Sequence, residues 1–241
     1  MFKPPLLAHR GASAYAPENT LAAFRKAFDL GARWLEFDVM LAACGELVVF
    51  HDESLDRTTN GSGLLQDYPY SYLKKLDAGS WFDKQFAGEP IPSLKEVLEF
   101  VRKNQLFANI EIKALPGKEK ETVTSILSLI AAYPEISNLL LSSFSMKVLQ
   151  ALRLQSSTCR LGLLMDQIDP AWPMIAREIQ GSSLHLNQNG LNPSVIKTLK
   201  ATELPLLAYT VNDPKRAVEL FSWGVDAVFT DCPDIIIAAS M

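Results

Sequence analysis

His9 and His51 each close an apolar run in the first quarter of the chain, and between them lies the acidic pair of Glu36-Phe37-Asp38. Only one other histidine, His185, occurs in the 241 residues. Glu36 and Asp38 are two positions apart, so on a strand both carboxylates leave one face and Phe37 leaves the other. Two carboxylates converging on an enclosed space repel each other unless a proton or cation neutralises them. One hard divalent cation, Mg2+ or Ca2+, is the simplest answer, and a structural ion pair with arginines is the alternative. Asn109-Ile110-Glu111-Ile112-Lys113 repeats the alternation, with its three polar residues on one face. Glu111 is then a third metal ligand and Lys113 a cation for an anionic substrate, or the two form a salt bridge of their own.

His9 precedes Arg10-Gly11, so it ends a strand at a tight turn, and His51 ends another apolar run. Two histidines beside acidic clusters can divide general acid and general base work near neutral pH. Arg10, planar and permanently charged, suits two phosphate oxygens, or else snorkels over a rim. His185 lies between Leu184 and Leu186 and shares a face with Ser183 and Asn187. That polar face either lines a pocket or holds a satisfied core histidine.

These residues need a scaffold that brings distant strands together. Strand-like runs occur at Leu6 to Arg10, Trp34 to Leu41 and Phe107 to Lys113, and five more follow at a spacing of about 22 residues: 139–143, 160–164, 183–187, 206–211 and 226–230. Helices are predicted at about 19–31 and 93–104, the second opened by the capping box Ser93-Leu94-Lys95-Glu96. Asp169-Pro170, Asn192-Pro193 and Asp213-Pro214 each place a capping side chain before a proline at a first helical position. Alternating strands and helices imply a parallel sheet, and eight such strands without a glycine-rich dinucleotide turn predict an α/β fold, a (β/α)8 TIM barrel.

A ninth strand, 46–50, follows strand 34–41 too closely for anything but an antiparallel hairpin. A turn centred near Ala43-Cys44 would set Leu41 opposite Glu46 and Glu36 opposite His51, returning His51 to the level of the carboxylates. Residues 52–92 are too long for an ordinary connection, and a small insertion over the C-terminal face of the barrel is expected. Residues 1–241 then read as one barrel domain that includes this insertion.

A formal net charge of -4 and a pI near 5.5 provide no basic field, which argues against nucleic acid and for a small-molecule partner. No run approaches the roughly 18 apolar residues that span a bilayer, and the N-terminus lacks the long apolar stretch of a leader. Cys44, Cys159 and Cys232 are far apart and show neither zinc nor disulfide spacing. A cytoplasmic location without stable membrane association is expected.

Taken together, His9-Arg10-Gly11, Ala16-Pro17-Glu18-Asn19-Thr20, Glu36-Phe37-Asp38-Val39, Leu47-Val48-Val49-Phe50-His51-Asp52, Arg57-Thr58-Thr59-Asn60-Gly61, Ile91-Pro92-Ser93-Leu94, Asn109 to Lys113, Thr210-Val211-Asn212 and Thr230-Asp231 resemble the glycerophosphodiester phosphodiesterase family, in its bacterial cytosolic form. The resemblance spans nearly the whole chain. It implies a barrel with an insertion and metal-dependent hydrolysis of glycerophosphodiesters to sn-glycerol 3-phosphate and an alcohol. It also implies His9 and His51 as the acid/base pair, Glu36, Asp38 and Glu111 as metal ligands, and Arg10 and Lys113 as phosphate contacts. Tyr209 stands where many relatives have tryptophan before Thr-Val-Asn, which bears on the glycerol or alcohol pocket, and Cys44 replaces a common turn aspartate. The attacking group is water or the glycerol 2-hydroxyl. The rival readings are a phosphodiesterase that cleaves lysophospholipids or phosphoinositides, and a non-catalytic binding protein on the same barrel. The intact set of His9, His51, Glu36, Asp38 and Glu111 argues against the last.

Overall fold

The computed structural model describes residues 2–3, 5–136 and 138–240. In chain order the elements are β1 (Leu6–His9), α1 (Leu21–Asp29), β2 (Trp34–Leu41), β3 (Leu47–Val49), α2 (Tyr70–Leu73), α3 (Leu94–Lys103), β4 (Phe107–Ile112), α4 (Glu119–Ile130), β5 (Leu139–Ser143), α5 (Met146–Gln155), β6 (Arg160–Met165), α6 (Trp172–Glu178), β7 (Ser183–Asn187), α7 (Pro193–Leu199), β8 (Leu206–Tyr209), α8 (Pro214–Trp223), β9 (Ala227–Thr230) and α9 (Pro233–Ser240). Eight parallel strands run in the order β1-β9-β8-β7-β6-β5-β4-β2, and β1 also pairs with β2, so the sheet closes into the (β/α)8 barrel. Among the described residues no helix is long and apolar enough to cross a membrane.

Local chemistry sets the helix starts. Ser93 Oγ accepts from the Glu96 amide while the Glu96 carboxylate accepts from the Ser93 amide, completing the capping box of α3. Asn192 and Asp213 cap α7 and α8 with proline next in line, as their sequences predict. Asp169-Pro170 differs: α6 begins at Trp172, with Pro173 in its first turn. The Asp169 side chain and carbonyl instead accept from the Ala171 and Trp172 amides, so this dipeptide forms the turn that precedes the helix.

The hairpin register also departs from expectation. Leu41 faces Leu47, Met40 faces Val48 and Val39 faces Val49, one residue away from the predicted pairing. The cause is the turn. The Ala42 amide donates to the Glu46 carbonyl across Ala43-Cys44-Gly45, the Ala42 carbonyl accepts from the Gly45 amide, and Gly45 takes a left-handed φ of 82°, which makes a three-residue loop where two residues were expected. Continued pairing would therefore project His51 away from the carboxylates. Pairing stops first: the Phe50 amide donates to the Asp38 carbonyl, and the backbone bends at His51, which turns the ring inward.

Along this hairpin the two faces have different neighbours. Val39, Leu47 and Val49 join the main core between strands and helices. Met40, Val48 and Phe50 project into a separate apolar cluster with Leu55, Leu65, Leu73, Leu76, Ala78 and Ile91, so residues 52–92 fold around the end of the hairpin. Inside the barrel, Leu7, Trp34, Leu140, Leu207 and Phe229 form an apolar cluster. His185 sits against Phe229 with ring centroids 5.1 Å apart, and a Cβ at Gly162 would lie 2.5 Å from the His185 ring. Gly162→Ala is therefore expected to destabilise the fold by about 1–3 kcal/mol through overpacking, read from the midpoint of chemical unfolding at unchanged m-value.

Candidate active site

Register brings the acidic groups together. The parallel pairing of β2 with β4 sets Glu36 beside Asn109 and Asp38 beside Glu111, and that of β1 with β2 sets His9 beside Glu36. One oxygen from each of Glu36, Asp38 and Glu111 lies within 4.8 Å of the other two. The turn after β1 holds both Arg10 and Gly11 in the left-handed region, at φ 54° and 86°. A Cβ at Gly11 would come within 2.7 Å of Ala23, so only glycine lets this turn pack against α1. Arg10 is thereby placed over the carboxylates.

Charge compensation is unequal across the three acids. Asp38 accepts from Asn19 Nδ2 at 2.8 Å and faces Lys113 Nζ at 3.3 Å and Arg10 Nε at 3.4 Å. Glu111 Oε1 is 2.9 Å from Lys113 Nζ. Among the described residues Glu36 receives only the Arg10 backbone amide, at 3.0 Å. Burial, then the Asp38 charge, pushes the Glu36 carboxyl up to about 8 and raises Glu111 as well. Burial alone would also raise Asp38, but Lys113, Arg10, His51 and the Asn19 hydrogen bond hold it below the usual carboxylate range. The ion-pair alternative thus accounts for Asp38 and leaves Glu36 without a cation. Asn109 donates Nδ2 to Ser142 Oγ at 3.0 Å, which fixes its amide and leaves Oδ1 buried without a partner among the described residues. Three carboxylates short of positive charge, with a spare carbonyl oxygen next to them, match the donor set of a hard divalent cation.

Each catalytic histidine candidate has a carboxylate behind it. His9 Nδ1 donates to Asp231 Oδ1 at 2.7 Å, and Asp231 also accepts from Ser13 Oγ at 2.7 Å and Asn212 Nδ2 at 2.6 Å. His51 Nδ1 donates to Asp52 Oδ1 at 2.5 Å. A carboxylate only accepts, so both Nδ1 atoms carry the proton and each neutral ring keeps Nε2 for chemistry. Burial would lower His9, but Asp231 and the Glu36 charge hold it above its ordinary value. Burial lowers His51, and the Arg10 and Lys113 charges add to that against the pull of Asp38. Arg57 clamps two carboxylates at once: it reaches Asp52 at 2.6 and 2.9 Å and Glu18 at 2.7 and 2.8 Å, while Glu18 accepts from Arg10 at 2.9 Å. This chain of fork contacts ties the insertion to the barrel rim.

His9, Arg10, Glu36, His51, Glu111, Lys113 and Tyr209 line one cavity of about 230 Å³, with Asn109, Phe144 and Phe229. Asp38, 1% exposed, lies beneath it. Tyr209 packs edge-on against Phe144 and Phe229, and burial pushes its phenol up. His185 is not brought to this site. It is fully buried behind Phe229, its Nε2 meets Ser183 Oγ at 2.9 Å, and burial lowers it to about 3, so it is neutral and stands with the core. Asn187 turns away to Asp166, which removes the predicted polar lining. Asp231, Asp52, Arg57, Asn19 and Asn109 are the groups that the sequence reading left without a role. Asp231 follows a strand end and Asn109 shares the Glu111 alternation, which are the signals that could have found them.

The model of the glycerophosphoryl diester phosphodiesterase family matches residues 9–235. The chain belongs to this family. A glycerophosphodiester phosphodiesterase of Caldanaerobacter subterraneus subsp. tengcongensis is 37% identical over 98% of this chain and 97% of its own length. A phosphodiesterase of Oleispira antarctica, solved in complex with the product sn-glycerol-3-phosphate, is 37% identical, with a TM-score of 0.95 over 98% of this chain and 96% of that one. A glycerophosphodiester phosphodiesterase of Agrobacterium tumefaciens is 31% identical, with a TM-score of 0.83 over 97% and 98% of the two chains. By class, then, the protein is a phosphoric diester hydrolase.

Two outcomes follow for Asp231. If it acts through His9, Asp231→Ala lowers diester turnover about 10–100-fold in the wild type and has little further effect in a His9→Ala background, as a double-mutant cycle would measure. Its carboxyl, which burial would raise, is held at about 2, below the ordinary 3.8, by His9, Asn212 and Ser13. A depressed carboxyl stabilises the fold above its unfolded value and loses that contribution as pH falls through the folded one. Melting temperature should therefore drop more steeply for the wild type than for Asp231→Asn between pH 3.8 and about 2.

Proposed function

We propose that this protein hydrolyses glycerophosphodiesters to sn-glycerol 3-phosphate and an alcohol, with His9 and His51 exchanging the protons and one divalent cation, Mg2+ or Ca2+, held by Glu36, Asp38 and Glu111. The observation that carries the reading is that two imidazoles, each backed by a carboxylate on Nδ1, line the same cavity as three clustered acids and two cations. The product bound by the Oleispira antarctica relative supports the same substrate class.

A phosphodiester anion entering this cavity meets three carboxylates and, among the described residues, two fixed cations, Arg10 and Lys113. When bound, the divalent cation supplies the missing positive charge and polarises the phosphoryl oxygens. Arg10 and Lys113 hold the non-bridging oxygens and balance the charge that builds on them. One imidazole Nε2 takes the proton of the attacking hydroxyl as its oxygen bonds to phosphorus. The other, protonated, gives its Nε2 proton to the departing alkoxide as the phosphorus–oxygen bond breaks. Asp231 and Asp52 keep both rings in the required tautomer throughout. Water and the glycerol 2-hydroxyl place the same demands on the two rings, and 31P NMR during turnover separates them by the presence or absence of a cyclic phosphate. Tyr209, with Phe144 and Phe229, shapes the apolar wall of the cavity.

The test is a coupled sn-glycerol 3-phosphate assay on several diesters with magnesium, calcium or chelator. Chelation is expected to abolish release, and His9→Ala and His51→Ala each to lower it by about 10²–10⁴-fold. Product release that neither chelator nor either substitution changes would overturn the assignment.

A further inference from the structure

A second cavity adjoins the first and has no role in the reaction just described. It measures about 600 Å³ and shares His51, Glu111, Lys113 and Phe144 with the smaller one, so these four side chains form the wall between them. Its outer side is built from Glu53, Leu115 and the turn into α5, in which Ser145 Oγ accepts the Val148 amide. A phosphate held by Arg10 and Lys113 beside His51 would sit at that wall, within reach of both cavities. The smaller cavity, about 230 Å³, is closer in size to a glycerol arm, which leaves the larger one for the alcohol.

The lining of the larger cavity is selective. Asp52 is matched by Arg57, and Glu111 by Lys113. Glu53 is exposed, and no hydrogen bond or ion pair of its side chain to another described residue accompanies it. Among the described residues no other lysine or arginine lines the space. Phe144, 49% exposed, presents an aromatic ring to both cavities and is braced edge-on by Tyr209, with centroids 6.0 Å apart. A carboxylate with no cation partner among the described residues and an exposed aromatic ring that line one cavity are the chemistry that receives an ammonium group.

We infer that the cavity bounded by Glu53 and Phe144 is the subsite for the alcohol, and that it favours small cationic alcohols, amino or quaternary ammonium, over neutral polyols. This rests on the hydrolase reading above. The experiment compares kcat/KM for glycerophosphocholine and glycerophosphoglycerol in the wild type, Glu53→Gln, Glu53→Lys and Phe144→Ala. The wild type should favour the choline diester, and Glu53→Gln should reduce that ratio by about two- to fivefold, as expected for a partly exposed charge contact. Glu53→Lys should reduce the ratio further, and the loss of aromatic contact in Phe144→Ala should reduce it as well. The preference should also weaken with added salt. A wild-type ratio at or below one, or a ratio that neither Glu53 substitution moves, would overturn the subsite while leaving the hydrolase reading intact. Release of sn-glycerol 3-phosphate from neither diester would instead bring down the hydrolase reading on which the subsite rests.

Discussion

Three carboxylates held within 4.8 Å of one another inside a closed barrel are the constraint that the rest of this structure answers. Like charges at that distance in a low-dielectric interior are strongly unfavourable, and strand register keeps them there with Lys113 and Arg10 offsetting part of the charge. The parallel pairing of β2 and β4 enforces the approach, because Glu36 and Asp38 alternate with Phe37 on one strand just as Asn109 and Glu111 alternate with Ile110 on the next. The isoleucine and phenylalanine side chains are buried in the core outside the strands, so neither strand can slip without exposing them. Apolar packing on the outer face thus supports electrostatic repulsion on the inner one.

Around that repulsion the charges are layered. Lys113 and Arg10 meet Asp38 and Glu111, Glu18 holds Arg10, and Arg57 reaches from the insertion to hold Glu18 and Asp52 together. Glu36 has no side-chain cation partner among the described residues, and the cluster is left short of positive charge. The same layering orients the imidazoles. His9 ends β1 and His51 sits in the bend after β3, yet both donate Nδ1 to a carboxylate and leave Nε2 for chemistry. The insertion belongs to this arrangement as much as the barrel does, since Asp52 and Arg57 lie within it while its apolar cluster closes on the far face of the hairpin.

Much of this was legible in the residues. Alternation identified Glu36, Asp38 and Glu111 as inward-facing, and strand ends marked His9 and His51. The hairpin shows where such reading stops: His51 reaches the site, but by a bend after Phe50 and not by the predicted register, because a left-handed Gly45 adds a residue to the turn. His185 shows the converse. Its alternation with Leu184 and Leu186 sets it on one face with Ser183, yet Phe229 and Gly162 enclose the ring, and depth inside a barrel does not appear in a two-residue period.

The sequence by itself determined the barrel, the family resemblance, the acidic triad and the two histidines, because strand alternation, helix caps and strand-end motifs are local and act over a few residues. Only the tertiary structure decided which carboxylate stands behind each imidazole, which acid lacks a cation, and that a second cavity adjoins the first. Asp231 lies 222 positions from His9, and Glu18 39 positions from Arg57. Contacts of that kind arise from barrel closure and from the way the insertion folds over the rim, and no local pattern in the chain encodes them.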